Sequence, residues 1–289
     1  MTKGNLLRPE TLFDGYAFDL DGTVYLGDVP LPGAIETVAR IRQAGRPVVF
    51  VTNNPLYSAE EYARKLRDCG IDATTSDLVT ATDALVSYLS STHPTAQLLV
   101  VGEGLLRRTL AAAGFLLTDE PSTADAVVVS FDRTFDYAKL HAAYQAVRLH
   151  GAYLVATNPD PYCPTPEGGL PDCAAMLAAI EACTNTTAEA IVGKPSHHMA
   201  AAVLERLGVS APGAVMVGDR LATDMVMARD AGMMSVLVLT GATSPSDLEA
   251  CDPHLLPDYV IQTLADLLPE VSTREDAGPA PQVRNLERA

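Results

Sequence analysis

Residues 17–27 read AFDLDGTVYLG, and two aspartates, Asp19 and Asp21, stand there where a short apolar run gives way to Gly22. In an extended strand, residues i and i+2 point to the same side, so the two carboxylates lie close enough to repel each other. A fold accommodates such a pair when a nearby group uses or neutralises the charge. The segment therefore predicts a functional site at the end of a strand.

Short apolar runs alternate with helix-like runs on both sides of this segment. Helical spacing with a terminal glycine is found at 33–45, and Ser58 with Glu61 forms a capping-box pattern before a run that ends at Gly70. The alternation predicts an α/β fold with a Rossmann-like parallel sheet and crossover helices. The predicted strands are at 16–20, 46–54, 96–102, 126–131, 152–158, 189–195, 213–219 and 234–241.

Four of the predicted strands end in polar residues. These are Asp19 with Asp21, Thr52 with Asn53 and Asn54, Lys194, and Asp219 with Asp224. In open α/β sheets, sites form at the carboxyl ends of the strands, so we expect the four groups to converge. For Asn54, a turn and a direct ligand contact are equally consistent with the sequence.

The block between the second and third groups contributes no residue to this set, which predicts an inserted domain. We expect the first part of the core at 1–81, an α/β cap at 82–188 and the second part of the core at 189–268. Residues 269–289 are polar, contain proline and lack a hydrophobic period, which predicts a mobile tail.

The chemistry of these residues favours phosphate. Carboxylates without a neighbouring histidine or cysteine favour a hard cation, foremost Mg²⁺. With Mg²⁺ and Lys194 present, the site can accept a phosphate dianion. One carboxylate can attack phosphorus and another can move the proton. Thr52 and the backbone N–H groups after it can hold phosphoryl oxygens, and Gly22 lets the backbone turn close to them.

Four motifs in order, DLDGT, VTNN, GKPS and GDRLATDM, resemble the signature of the haloacid dehalogenase (HAD) superfamily in its phosphatase form. Within the insertion, SFDRTFDYAKL (130–140), ATNPD (156–160) and PEGGLPDCAAMLAAIE (166–181) are similar to the cap of the NagD-like, 4-nitrophenylphosphatase-like subfamily IIA. The resemblance covers about residues 12–268. It implies a HAD core with an inserted α/β cap, and homodimerisation through that cap.

The resemblance also implies roles for single residues. Asp19 would be the nucleophile and Asp21 the general acid/base. Thr52 would bind phosphate with Asn53 beside it, and Lys194 would steady both the nucleophile and the phosphate.

The same resemblance implies a Mg²⁺ site. Asp19, Asp219 and the backbone carbonyl of Asp21 would bind the ion. Asp224 would act next to this site, chiefly without binding the ion itself.

The presumed cap loop, residues 158–172, offers Asn158 and Asp160 as candidate substrate contacts and contains no lysine or arginine. Such a lining suits a hydroxyl-rich or neutral leaving group. We therefore expect a Mg²⁺-dependent phosphatase of small phosphate monoesters, with sugar or polyol phosphates favoured over phosphoglycolate or a nucleoside diphosphate, and with p-nitrophenyl phosphate as an artificial substrate. Arg133, Lys139 or a partner subunit could supply a missing cation.

Two alternatives remain open on the sequence. A phosphomutase or phosphotransferase would share the aspartyl-phosphate but pass the phosphoryl group to an alcohol. A non-catalytic binding or regulatory module could be built on the same fold, although every motif residue is present.

Composition narrows the surroundings of the protein. A net charge of −16 and a pI of about 4.6 argue against nucleic acid and anionic membrane surfaces as partners. Five widely spaced cysteines without a CxxC pair predict reduced thiols, and the first residues lack the apolar segment of a signal peptide. These features predict a cytoplasmic protein.

Overall fold

The computed structural model describes residues 7–165 and 168–269. The tail predicted at 269–289 lies, apart from its first residue, outside the described residues. In the described part, none of the helices combines the length and apolar character that crossing a bilayer requires.

Six parallel strands form the first sheet, in the order β15-β14-β13-β1-β4-β5. The strands are β1 (Gly15–Asp19), β4 (Val48–Thr52), β5 (Leu78–Thr80), β13 (Ala214–Gly218), β14 (Met234–Val238) and β15 (Tyr259–Ile261). Each residue of β1, β4 and β13 is buried, which explains their continuous apolar sequences. A short antiparallel hairpin, β2 (Tyr25–Leu26) and β3 (Val29–Pro30), follows β1.

Five parallel strands form the second sheet, in the order β12-β9-β8-β6-β7. They are β6 (Gln97–Val101), β7 (Leu116–Thr118), β8 (Ala126–Val129), β9 (Tyr153–Ala156) and β12 (Ala190–Ile191). A second antiparallel hairpin, β10 (Tyr162–Thr165) and β11 (Gly168–Pro171), lies in the chain after β9. Two parallel sheets with helices confirm the predicted fold class.

Nine helices of six residues or more connect the strands in the described ranges. They are α1 (Ala34–Gln43), α2 (Ala59–Asp68), α3 (Ala81–Thr92), α4 (Gly104–Ala112), α5 (Tyr137–Tyr144), α6 (Cys173–Thr184), α7 (His197–Leu207), α8 (Val226–Ala231) and α9 (Pro245–Ala250). The predicted capping box is present, since the Ser58 hydroxyl accepts from the Glu61 N–H and the Glu61 carboxylate accepts from the Ser58 N–H.

The strand predicted at 189–195 differs from the expectation. We expected it in the core sheet, but Ala190 and Ile191 pair with Val155 and Ala156 at the edge of the second sheet. Lys194 therefore approaches the site from the second sheet. The boundaries at 82, 189 and 268 as limits of independent domains stay a prediction.

One buried apolar cluster joins the two sheets. It contains Val49 and Val51 of the first sheet, Leu98 and Val128 of the second, and side chains of α3 and α7 between them. The two sheets therefore pack through helices that both contact, and this packing brings the carboxyl ends of β1, β4, β9, β12 and β13 to one place.

Candidate active site

A cavity of about 580 Å³, including its open mouth, lies where these strand ends meet. From the first sheet it is lined by Asp19, Asp21, Thr52, Asn53, Asn54, Arg220 and Thr223, and from the other side by Asp160, Tyr162, Cys163, Asp172 and Lys194. Residues that are far apart in the sequence thus line one cavity. The predicted convergence of the four polar groups is what the structure shows, with Asp219 and Asp224 directly behind the wall.

Lys194 is the buried cation of the site. Its side chain is 4% exposed and its Nζ donates to Asp19 Oδ1 and, at 2.7 Å, to Asp224 Oδ1. Burial lowers the pKa of Lys194, but the two carboxylates outweigh that effect and hold the pKa above its ordinary value. Lys194 therefore stays charged and fixes the orientation of Asp19.

Asp219 carries an unpaired buried oxygen. Its Oδ2 accepts from the Ala242 N–H at 2.6 Å, whereas its Oδ1 is buried without a hydrogen-bond partner among the described residues. Burial first, and then the charges of Asp19 and Asp224, raise the pKa of Asp219. A carboxylate in this environment lacks a positive partner.

A divalent cation would supply that partner. Carboxylate oxygens of Asp19, Asp219 and Asp224 lie within 4.8 Å of one another. Both oxygens of Asp224 already accept hydrogen bonds, Oδ1 from Lys194 and Oδ2 from the Arg220 N–H at 3.1 Å. The unpaired oxygen of Asp219 and the neighbouring Asp19 are thus the better ligands, and their hard oxygen donors fit Mg²⁺.

Asp21 faces the same cavity as Asp19. Burial, and then the charge of Asp19, raise the pKa of Asp21 to about 6. Such a carboxyl is protonated in about a tenth of the molecules at pH 7, far more often than an ordinary aspartate. It can therefore donate a proton as well as accept one.

Thr52 ends β4, Asn53 follows it, and both residues line the cavity. The Thr52 hydroxyl accepts from the Asn54 N–H at 3.1 Å. The side chain of Asn53 contacts protein and not open space: Oδ1 accepts from the Lys194 N–H at 2.7 Å, and Nδ2 donates to the Lys194 carbonyl at 3.0 Å. Because the Asn53 side chain is occupied in this way, only its backbone N–H remains predicted to contact phosphate.

The two candidate substrate contacts of the cap loop differ from each other. Asp160 lines the cavity, with a side chain that is 13% exposed. Asn158 is fully buried, donates from Nδ2 to the Asn53 carbonyl at 3.2 Å and accepts from the Asp160 N–H at 2.9 Å. Asn158 therefore supports the backbone of the neighbouring segments. It does not line the cavity, in contrast to the expectation that it contacts the substrate.

Arg220 is a residue of the site that the sequence reasoning missed. It lines the cavity, its side chain is 30% exposed, and its guanidinium lies 3.9 Å from Asp160 Oδ1. The sequence reasoning considered the loop 158–172, which has no lysine or arginine, and then Arg133, Lys139 and a partner subunit, whereas Arg220 directly follows Asp219 in the chain. That adjacency to a predicted metal ligand was the available signal.

The other cations considered from sequence lie elsewhere. Arg133 pairs with Glu103 at 2.6 Å and Lys139 pairs with Asp132 at 2.5 Å, and neither is part of the cavity lining found in the described ranges. Asn54 lies at the cavity wall and also holds a turn, because its Oδ1 accepts from the Leu56 N–H at 3.0 Å.

Comparison with known families gives two matches. Residues 16–116 match the haloacid dehalogenase-like hydrolase family, and residues 191–267 match a second HAD-hydrolase-like family. The chain is 34% identical over 253 residues to the sugar-phosphatase AraL of Bacillus subtilis, covering 88% of this chain and 91% of that protein.

Solved structures agree with these matches. A 4-nitrophenylphosphatase from Thermotoga maritima superposes with a TM-score of 0.83 at 35% identity, covering 88% of this chain and 95% of that one. A glycerol phosphate phosphatase from Mycobacterium tuberculosis in complex with magnesium has a TM-score of 0.81 at 35% identity, covering 89% of this chain and 76% of that one.

Proposed function

This chain belongs to the haloacid dehalogenase-like hydrolases, in their NagD-like subfamily IIA, and we propose that it is a Mg²⁺-dependent phosphatase that hydrolyses small phosphate monoesters through an aspartyl-phosphate on Asp19. The observation that carries the proposal is the arrangement of Lys194 between two carboxylates beside an unpaired Asp219 oxygen. A nucleophilic carboxylate, a fixed cation and a vacant hard donor are the parts that phosphoryl transfer to an aspartate requires.

The first step would form a bond between an Asp19 oxygen and phosphorus and break the bond from phosphorus to the ester oxygen. Asp21, with its pKa raised to about 6, would give its proton to the leaving alcohol. Lys194 would neutralise charge on Asp19 and on the phosphoryl oxygens. Bound Mg²⁺, held by Asp19, Asp219 and the Asp21 carbonyl, would supply further neutralisation of phosphoryl charge.

In the second step, water would attack phosphorus, and Asp21 would take the proton that this water loses. The bond between phosphorus and Asp19 breaks, so that free phosphate leaves and the Asp19 carboxylate is restored.

For the substrate, we propose a sugar or polyol phosphate. Asp172 and Asn54 offer acceptors for hydroxyl groups along the cavity wall. Arg220 adds a cation to this wall, but Asp160 faces it at 3.9 Å and compensates its charge. The name of the relative from Bacillus subtilis, a sugar phosphatase, supports the same class.

A panel of phosphate esters tests the substrate class. Purified protein with Mg²⁺ is assayed on sugar phosphates, glycerol phosphate, phosphoglycolate and a nucleoside diphosphate, and both free phosphate and free alcohol are measured. We expect equal amounts of both products and the highest kcat/KM for a sugar or polyol phosphate. If phosphoglycolate exceeded each of those esters, the substrate class would be wrong. Alcohol release without phosphate would indicate a phosphotransferase.

We also propose a homodimer formed through the second sheet and a reducing, cytoplasmic environment. Large apolar side chains are exposed around that sheet, with Leu116 at 67%, Tyr137 at 80% and Leu149 at 61%. The five cysteines are unpaired, which suits a reducing compartment. Molar mass from light scattering tests the dimer, since the monomer has a mass of 30.5 kDa.

A further inference from the structure

The side chain of Asn53 holds the backbone of Lys194 from both sides. Its Oδ1 accepts from the Lys194 N–H at 2.7 Å and its Nδ2 donates to the Lys194 carbonyl at 3.0 Å. Asn53 and Lys194 are 7% and 3% exposed, so water does not compete for these bonds. The position of the Lys194 backbone, and hence of its Nζ between Asp19 and Asp224, depends on how the Asn53 amide is oriented.

Asp160 of the cap loop fixes that orientation. Its Oδ2 accepts from Asn53 Nδ2 at 2.9 Å, so the second donor of the same amide nitrogen binds a carboxylate. If the amide turned over, its oxygen would face both the Asp160 carboxylate and the Lys194 carbonyl, an arrangement of acceptors without a proton between them. A charge-assisted bond of this kind is stronger than one between neutral groups.

The close approach of these segments is built into the backbone. At Gly193, an added Cβ would lie 2.6 Å from Asn53 Oδ1 and 2.5 Å from the Thr157 carbonyl, so a larger residue would separate them. Asn158 closes the other side by donating to the Asn53 carbonyl and accepting from the Asp160 N–H. Three segments that are distant in sequence, 52–54, 157–160 and 193–194, therefore meet around one amide.

We propose that Asp160 is a positioning residue, which acts through Asn53 to set the place of Lys194, so that docking of the cap loop and assembly of the phosphate site are coupled. The proposal rests on the proposed phosphatase function. In this role, loss of Asp160 affects every phosphate ester alike, whatever its leaving group. If Asp160 instead contacted the substrate directly, as expected from sequence, the effect of its loss would vary with the leaving group.

Inorganic phosphate provides the decisive probe, because it occupies the phosphate site and has no leaving group. In Asp160→Ala, we expect the inhibition constant of inorganic phosphate to rise about tenfold, as for the loss of one charge-assisted hydrogen bond. We expect kcat to fall by a similar factor for p-nitrophenyl phosphate and for a sugar phosphate. Asp160→Asn keeps an oxygen that can accept from Asn53, and we expect it to stay within about threefold of wild type.

A double-mutant cycle tests the route through Asn53. If Asp160 acts through Asn53, the phosphate inhibition constant of the double variant with Asn53→Ala equals that of Asn53→Ala alone. Asp172→Asn is the matched control, since Asp172 lines the same cavity but accepts from the N–H of Cys173 in its own segment. We expect its effect to add to that of Asn53→Ala. Circular dichroism of each variant shows that it is folded.

Two results would overturn the proposal. One is an Asp160→Ala protein that binds inorganic phosphate within twofold of wild type and loses kcat/KM for one leaving group only, which would make Asp160 a substrate contact. The other is full additivity of Asp160→Ala and Asn53→Ala. A wild-type protein without phosphatase activity would instead remove the proposed function, so the two failures are distinguishable.

Discussion

Gly22 has a second role that its sequence position alone did not reveal. Its φ of +93° lies where residues with a side chain rarely occur, and an added Cβ would lie 2.5 Å from Asp219 Oδ2. The glycine after the DxD pair thus lets the proposed metal ligand approach the turn. The reason to place glycine here is steric as well as conformational.

Replacing Gly22 with alanine is therefore expected to displace Asp219. We predict a loss of stability of about 1–3 kcal/mol from the unfavourable φ, and a fall in kcat/KM of more than about tenfold. Gly27→Ala is the matched control, because Gly27 has a φ of +58° but nothing lies within 4 Å of an added Cβ. Urea unfolding and phosphate release are measured for both. Equal activity in the two variants would contradict the assignment.

At single residues, sequence predicted which groups meet but not how each is used. Asp19, Asp21 and Asp219 converge because the carboxyl ends of neighbouring parallel strands do so in an open α/β sheet, whereas Lys194 reaches them from the second sheet. The amide of Asn53 holds Lys194 and not a ligand, because its partners come from a segment 141 residues away. Such pairings follow from tertiary packing, and no local pattern encodes them.

At the scale of elements, periodicity predicted eight strands of the two sheets but misassigned the sheet of one. Residues 189–195 have the apolar, β-branched sequence of a buried strand in either sheet, and only pairing with β9 determines which sheet β12 joins. The short strands β5, β7 and β15 were not predicted, since each has three residues and too little pattern.

Asp172, which directly precedes α6, makes the stability of the protein depend on pH. The Asp172 carboxylate accepts from the Cys173 N–H at 2.6 Å, yet burial raises the pKa of Asp172 to about 6. An unfolded chain releases this proton near pH 4. Because the folded state holds the proton more tightly, this group's contribution to stability falls as pH rises from about 4 to about 6.

Asp172→Asn removes that titration. We predict that the variant gains stability relative to wild type between pH 4 and pH 7, by up to about 3 kcal/mol for a shift of about two pKa units. The measurement is urea unfolding of both proteins at the two pH values with a metal chelator present. A difference between the two proteins that stays constant across this range would show that Asp172 has no raised pKa.

At the scale of the whole molecule, the negative net charge produces a long-range repulsion that opposes the approach of the proposed substrate. The net charge of −16 repels a phosphate dianion, while Lys194 and Arg220 attract it only at short range. The alternation of strands and helices in the sequence was enough to predict the fold class. The balance between long-range repulsion and short-range attraction could not be predicted in this way, because it depends on where the charges lie on the folded surface. Salt screens the distant charges more than the buried ones.

We therefore predict that kcat/KM for p-nitrophenyl phosphate rises about two- to threefold when ionic strength increases from about 10 to 150 mM at fixed free Mg²⁺. The effect is expected in KM, with kcat unchanged, since screening alters encounter and not chemistry. Initial rates at several salt concentrations measure it. A decrease with salt would mean that the local cations dominate the approach of the substrate.

The most direct test of the proposed function is phosphate release from p-nitrophenyl phosphate by wild type and by Asp19→Asn, each with and without Mg²⁺. The substitution keeps the shape of the side chain but removes the nucleophile. We predict that wild type is active only with Mg²⁺, and that Asp19→Asn is folded and at least about a thousandfold slower. A folded Asp19→Asn protein that kept activity within tenfold of wild type would contradict an aspartyl-phosphate on Asp19.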